Sequence, residues 1–306
     1  MRFSIITVTK NNKTGLLRAI ECVRNQTYKN IEHIIVDGGS DDGTAEILKQ
    51  IQDKAQKDSL LTNNYLLRTI SEADSGIYDA INKGIKMATG DVIGLLHSDD
   101  LYAYENVLEK YASVFNAPTT NNKQNTVEAV YSDLVYVRKK REGRSEKSET
   151  TNYSLLTTNY SVIRYWKAHK TVNSNQSSVN SENTDNRLLV TDHLLQKGWM
   201  PPHPTLFVRK EVFEKHGLYN TSFKIAADYE MILRLFYKHK ITAHYLPYTT
   251  YLMSIGGTSN KSINNIVLKS KEDLLALKLH NLPHPLIALL SKNLRKLPQF
   301  LARDLS

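Results

Sequence analysis

Apolar residues in this chain fall first into short unbroken runs and then into three- and four-residue spacing, and the two patterns alternate. Residues 3–8 (FSIITV) suit a buried strand, and residues 14–25 carry Leu16, Leu17, Ile20, Cys22 and Val23 at helical intervals. A second run, 31–36 (IEHIIV), is followed by a helical pattern over 44–55, and a third, 65–70 (YLLRTI), by one over 77–88. Thr89-Gly90 then stops the helix before a fourth run at 91–96 (DVIGLL). Strands alternating with helices predict an α/β fold with a mainly parallel sheet covered on both faces. In such sheets ligands bind beyond the carboxyl ends of the strands. The polar clusters TKNN, DGGSDDGT, SEADSG and HSDD follow strands one to four in that order.

The second half is less regular. Residues 116–128 and 171–186 are rich in Asn, Ser and Thr and read as surface insertions. Between them YSDLVYV (131–137) alternates like a strand, and Glu142-Gly143 is placed at a hairpin turn. PPHPTLFV (201–208) precedes a short helix, RKEVFEKHG, and residues 228–238 predict another helix with Ile232, Leu233, Leu235 and Phe236 apolar.

At 306 residues, with 41% apolar and 23% charged, the chain has material for a sizeable core and is neither disordered nor fibrous. No run of apolar residues is long enough for a transmembrane helix, and the N-terminus lacks the apolar region of a signal peptide. The single cysteine, Cys22, allows no intrachain disulfide and fits a cytoplasmic compartment and a packed core thiol. The net charge of +9 is spread along the chain without zinc-finger or RNA-binding spacing, so nucleic acid is not the expected partner.

Three carboxylate positions carry candidate chemistry. Asp37 ends an apolar strand and opens DGGSDDGT, whose glycines permit close backbone approach and positive φ; an ordinary capped strand-to-helix turn has the same composition. Asp99 and Asp100 directly follow DVIGLL. Adjacent carboxylates repel unless a cation or donors compensate, which suits Mg2+ or Mn2+, but they also suit the start of a helix in LYAYENVLEKY. Asp228, where a helical pattern begins, reads equally as a cap or as a general base.

TVTKNN, VDGGSDDGT, NKGIKMATGDVIGLLHSDD and AADYEMILRL stand in this order, and together they resemble the glycosyltransferase family 2 pattern of the GT-A fold over about residues 1–255. The resemblance implies a nucleotide-sugar donor and an inverting transfer to an acceptor hydroxyl. It implies that Thr9, Asn11 and Asp37 line the nucleotide pocket, with uracil the expected base. Asp100 becomes the direct metal ligand, Asp99 lies nearer the donor ribose or sugar, and Asp228 is the base. Two positions depart from the pattern: Ala227 stands where the family often has glutamate, and Lys10 where it often has tyrosine. SEADSGIYDAINKG (71–84) and PPHPTLFVRK look like a subgroup that builds bacterial surface polysaccharides. In that subgroup reading Asp74, Asn82 and Lys83 face the donor sugar or diphosphate. His203 approaches the phosphates or the acceptor, or is a structural histidine between prolines; His97 is open in the same way.

Residues 1–115 are thus expected to form the nucleotide-sugar half and 116–255 the acceptor and base half of one domain, with a helical tail over 256–306. Within the tail, leucines at near-helical intervals alternate with Lys292, Arg295 and Lys296, and residues 282–306 hold four basic residues and one acidic one. A basic amphipathic helix over 286–303 suits an anionic membrane surface, on the cytoplasmic face, where a glycan or lipid-linked acceptor would be met; docking on the protein itself or in a dimer suits it too.

Among rivals, a nucleotidyltransferase would need a glycine-rich first loop, but TVTKNNKTG has only Gly15. A dehydrogenase would need GxGxxG after the first strand, and a glycoside hydrolase two opposed carboxyls with no nucleotide site. A catalytically inactive nucleotide-sugar-binding scaffold on the same fold remains open to the sequence.

Overall fold

The computed structural model describes residues 1–57, 65–117, 126–139, 160–168, 190, 192–255 and 263–295. Among them the first half follows the predicted alternation: β1 (Phe3–Thr9), α1 (Lys13–Arg24), β2 (Ile31–Asp37), α2 (Thr44–Lys57), β3 (Tyr65–Ser71), α3 (Ile77–Met87) and β4 (Val92–Leu95). β1 and β2 are buried along their whole length, as strands covered on both faces must be, whereas β3 is half-exposed at the sheet edge. Side chains alternate across β1. Ile6 and Val8 join Ile81 and Ile85 of α3 in one core, while Phe3 and Ile5 join Ala19 and Val23 of α1 in the other.

After β4 come β5 (Leu101–Tyr102), α4 (Val107–Phe115), β6 (Ala129–Lys139), β7 (Tyr160–Trp166), α5 (Asp192–Gln196), a 3-10 turn at His203–Thr205, β8 (Phe207–Arg209) and α6 (Lys210–His216). α7 (Ala227–Ile232), β9 (Ala243–Ser254), α8 (Ile263–Leu279) and α9 (Pro285–Leu294) complete the order. One sheet runs β3-β2-β1-β4-β8-β6-β9-β5, with β7 also on β6. β1 to β4 are parallel, β8 joins β4 and β6 antiparallel, and β9 lies parallel to β6. The two expected halves therefore share a single sheet.

Several expectations change in detail. Leu101 and Tyr102 form a strand and α4 starts only at Val107 behind Asn106, so Asp99 and Asp100 cap no helix. The expected helix over 228–238 is α-helical only to Ile232. It widens to π geometry over Leu233–Lys238, where Arg234 reaches His216 O at 2.5 Å and Leu218 O at 2.6 Å. The proposed turn at Glu142-Gly143, the insertion 171–186, and the tail from residue 296 on, with Lys296, lie outside the described residues.

Candidate active site

The parallel register brings the ends of the first three strands level: Thr9 lies opposite Asp37, and Asp37 opposite Ser71. Asp37 is wholly buried. Its carboxylate accepts from Ser40 N at 3.1 Å, from Ser71 Oγ at 2.6 Å and from Ser40 Oγ. A buried carboxylate with three protein donors organises the loop from beneath and keeps acceptor capacity on its two oxygens. Half-buried Asp74, after β3, stands beside this loop. A Cβ on Gly38 would collide with Asp74 Oδ2, so residue 38 is glycine because the Asp74 carboxylate lies over it. Asp74 Oδ1 accepts from Gly76 N at 3.0 Å.

Asn11 sits at φ 52°, donates its N–H to Ser40 Oγ at 2.7 Å and accepts from Asp41 N at 3.0 Å. It locks the first loop to the second. Thr9 Oγ1 is buried with no partner among the described residues, an acceptor and donor left for a ligand. α1 is tied to the fourth strand end by Asn12, which caps Gly15 N at 3.1 Å and donates to Ser98 Oγ at 3.2 Å.

At that fourth end Asp99 is exposed and Asp100 is buried. The Asp100 carboxylate accepts one backbone N–H, from Ser254 at 3.2 Å. Burial, with the Asp99 charge added, pushes its pKa well up. Half-buried His97 is held neutral by burial, its pKa down to about 4 with Asp99 opposing the shift, and its Nδ1 has no partner. Mg2+ or Mn2+ fits this donor set: a buried carboxylate with an uncommitted oxygen beside a second carboxylate needs a hard cation's charge. Among the described residues no three His, Cys, Asp or Glu side chains converge on a metal-sized point. Coordination would thus be completed by substrate oxygens and water, the usual arrangement for Mg2+ at phosphates.

Asp228 is half-buried in the first turn of α7 and is not its cap, which is Ala226. Its Oδ1 accepts from Tyr229 N at 2.8 Å and lies 3.3 Å from the Tyr78 hydroxyl, which is 2.7 Å from Ile225 O. Tyr78 stacks on Tyr219 with ring centroids 5.7 Å apart, and Tyr219 shares a 2.8 Å hydrogen bond with His203 Nε2. His203 is buried, which lowers its pKa, while the nearby Asp228 charge opposes that. Half-buried Tyr136 has its pKa raised chiefly by burial, with Arg164 opposing and the Asp100 and Asp228 charges adding smaller upward pushes. Val137, next to Tyr136, pairs with Ser254, whose N–H meets Asp100, and the Tyr136 ring carries the Arg164 guanidinium at 3.9 Å.

Two expected donor contacts are spent elsewhere. Asn82 is buried and uses both ends of its amide on Tyr219, donating to its carbonyl at 2.8 Å and accepting from its N–H at 2.9 Å. It clamps α3 to the Tyr219 segment. Lys83 binds Ala73 O at 2.9 Å and Glu72 at 2.8 Å, steadying the segment that carries Asp74. Sequence reasoning passed over Tyr78, Tyr136, Tyr219 and Ser254. Tyr78 stands inside the quoted IYDAINKG stretch, and its polar tip on a buried helix face was the available signal. Cys22 behaves as a core thiol: burial pushes it up to about 12, leaving no thiolate.

The tail also differs from expectation. Lys292, assigned to a membrane face, is 4% exposed, pairs with Asp273 at 2.7 Å and lies 3.2 Å from the Tyr229 ring centre. α8 and α9 bury Ala276, Leu277, Leu282 and Ala288 in the core that holds α7. Ala227, where the family pattern has glutamate, is wholly buried in that same core. The outward side of α9 nevertheless shows Leu286, Ile287, Leu290 and Leu294, each at least 60% exposed. Among the described residues no helix is long and apolar enough to cross a membrane.

The family model described as Glycosyl transferase family 2 matches residues 4–178. An uncharacterized glycosyltransferase of Mycobacterium tuberculosis is 37% identical over 106 residues, which is 34% of this chain and 36% of that protein's length. A PGL/p-HBAD biosynthesis glycosyltransferase of the same organism is 24% identical over 277 residues, covering 87% of this chain and 82% of that protein. The crystal structure of S. aureus TarS 1-349 in complex with UDP matches with TM-score 0.54 at 16% identity over 97% of this chain and 72% of that one. The mannosyltransferase PcManGT from Pyrobaculum calidifontis, in complex with GDP-Man and Mn2+, matches with TM-score 0.54 at 15% identity over 99% and 76%. These likenesses agree with the mixed sheet and flanking helices in giving a GT-A fold.

Proposed function

The chain belongs to glycosyl transferase family 2, and from that premise we propose that it moves a sugar from a nucleoside diphosphate donor to an acceptor hydroxyl in one inverting displacement. The observation that carries this reading is that the Asp100 and Asp228 charges both act on Tyr136, which lies beside the strand pair that brings Ser254 N to Asp100. Asp228 is the base: Oδ1 is anchored by the Tyr229 N–H, and Oδ2 accepts from no described residue, leaving it to take the acceptor proton. Asp100, with Asp99 beside it, holds Mg2+ or Mn2+ against the donor diphosphate. When bound there, the ion supplies positive charge to the departing diphosphate. Thr9 at the end of β1 and Asp74 after β3 meet the nucleotide. Uracil is the base the motif resemblance implies, and a growing surface glycan or its lipid-linked form is the acceptor.

The exposed leucine side of α9, with Arg295 at its end and Lys271 and Lys278 exposed on α8, rests on an anionic membrane surface in this reading. Full-length protein carrying Leu286→Glu and Leu290→Glu should lose binding to phosphatidylglycerol vesicles in co-sedimentation; undiminished binding removes the membrane from the account.

A thermal-shift panel of UDP, GDP and their sugars, with and without Mn2+, tests the enzymatic reading. A midpoint rise for one base, enlarged by the metal, is expected. Indifference to every nucleotide in the presence of Mn2+ contradicts it.

A further inference from the structure

Glu272 of α8 lies far in sequence from every site motif, yet it is buried and its carboxylate accepts three consecutive backbone N–H groups. Oε1 takes Lys224 N at 2.9 Å, and Oε2 takes Ile225 N at 2.8 Å and Ala226 N at 2.9 Å. Those amides lead directly into α7, whose first turn carries Asp228. Charge-assisted bonds to a carboxylate are the stronger kind, and an anion at this end also favours the helix that follows. The segment has few other holds: Ala226, the cap, offers no side-chain bond, and Tyr78 binds Ile225 O from the opposite side at 2.7 Å. Glu272 and Tyr78 thus grip the same residue, and the second of them also touches Asp228. The next residue, Asp273, fastens α8 to α9 through Lys292.

We propose that Glu272 is a positioning residue for the base: it fixes the 224–226 segment so that the Asp228 carboxylate points into the crevice. The inference rests on the reading of Asp228 as the base. A glutamine at 272 keeps one carbonyl acceptor and turns an N–H donor toward the other amides, so part of the grip is lost; an alanine loses all of it.

The test uses the full chain and the UDP- or GDP-sugar that the wild type hydrolyses fastest with Mn2+, following nucleoside diphosphate release in wild type, Glu272→Gln, Glu272→Ala and Asp228→Asn. Misplacing a reacting group by an ångström costs about 100-fold, so kcat should fall about 100-fold in Glu272→Ala and less in Glu272→Gln. KM for the donor and the affinity for the diphosphate measured by calorimetry should stay at wild-type values in both. Unchanged kcat in both Glu272 variants, alongside a dead Asp228→Asn, overturns the positioning role and leaves the base reading standing. A parallel fall of kcat, diphosphate affinity and thermal midpoint in Glu272→Gln makes the residue merely structural and also overturns it. Wild-type kcat in Asp228→Asn removes the base reading and this inference with it.

Discussion

The nucleotide side and the base side of the crevice are built in different ways. On the nucleotide side each strand hands its polar cluster to the next helix, and the groups that hold Asp37 come from its own loop and the neighbouring strand, Ser40 and Ser71. On the base side Asp228 is held by Tyr78, 150 residues earlier, and its backbone by Glu272, 46 residues after Ala226. The first side is a set of local motifs aligned by sheet register. The second is a long-range assembly in which α3, α7 and α8 each contribute one part. A single sequence reads the first well because local spacing carries it, and reads the second poorly because nothing local announces the partner.

The largest expected effect is on the base side. Asp228→Asn should lower transfer by about 10²–10⁴-fold, the usual contribution of a general base, with diphosphate affinity by calorimetry unchanged. Near-normal turnover would dissolve the distinction between the two sides. Next, Asp100→Ala should remove the Mn2+-dependent part of diphosphate affinity, a loss of roughly 100-fold or about 2.7 kcal/mol. Asp74→Asn, by contrast, should weaken diphosphate binding equally with and without Mn2+. Equal metal dependence in Asp100→Ala and wild type would move the cation elsewhere.

A smaller effect concerns the scaffold under the nucleotide side. His33 of β2 is wholly buried between Thr7 and Tyr65, each 2.8 Å away, and burial pushes its pKa down to about 3. A free histidine titrates near 6.5, so the unfolded chain takes up the proton first as pH falls. The contribution is full above pH ~6.5 and is lost as pH drops from there toward ~3; at about pH 5 it costs about 2 kcal/mol. The thermal midpoint of wild type should therefore fall between pH 7 and pH 5 more steeply than that of His33→Gln. Equal slopes would place the acid sensitivity elsewhere, with half-buried His97 and buried His203 also pushed down by burial.

The same contrast explains what was legible beforehand. The alternation of apolar runs and helical spacing located β1 to β4 and α1 to α3 within a residue or two, because both periods are set by burial on a covered parallel sheet. Asp99, Asp100 and Asp228 stand out in the sequence because strand ends and helix starts are local features. The Tyr219 backbone that holds the Asn82 amide is 137 residues away and leaves no trace in the motif. Lys292 was misread for a similar reason. Its periodicity fits a basic amphipathic helix, and only the fold reveals Asp273 and the Tyr229 ring waiting for it. Asp37 and Asp74 both stand out in the sequence, but that the Asp74 carboxylate lies over Gly38 is visible only in the fold.

The account turns on Asp100 and Asp228 sharing one crevice across a bound donor. A crystal structure of the full chain with Mn2+ and the preferred nucleoside diphosphate sugar measures this directly. The account predicts Mn2+ on the Asp100 carboxylate, diphosphate oxygens on the same ion, and the anomeric carbon turned toward Asp228 beside Tyr136. A donor seated with its anomeric carbon away from Asp228, or an ion that leaves Asp100 untouched, would contradict it.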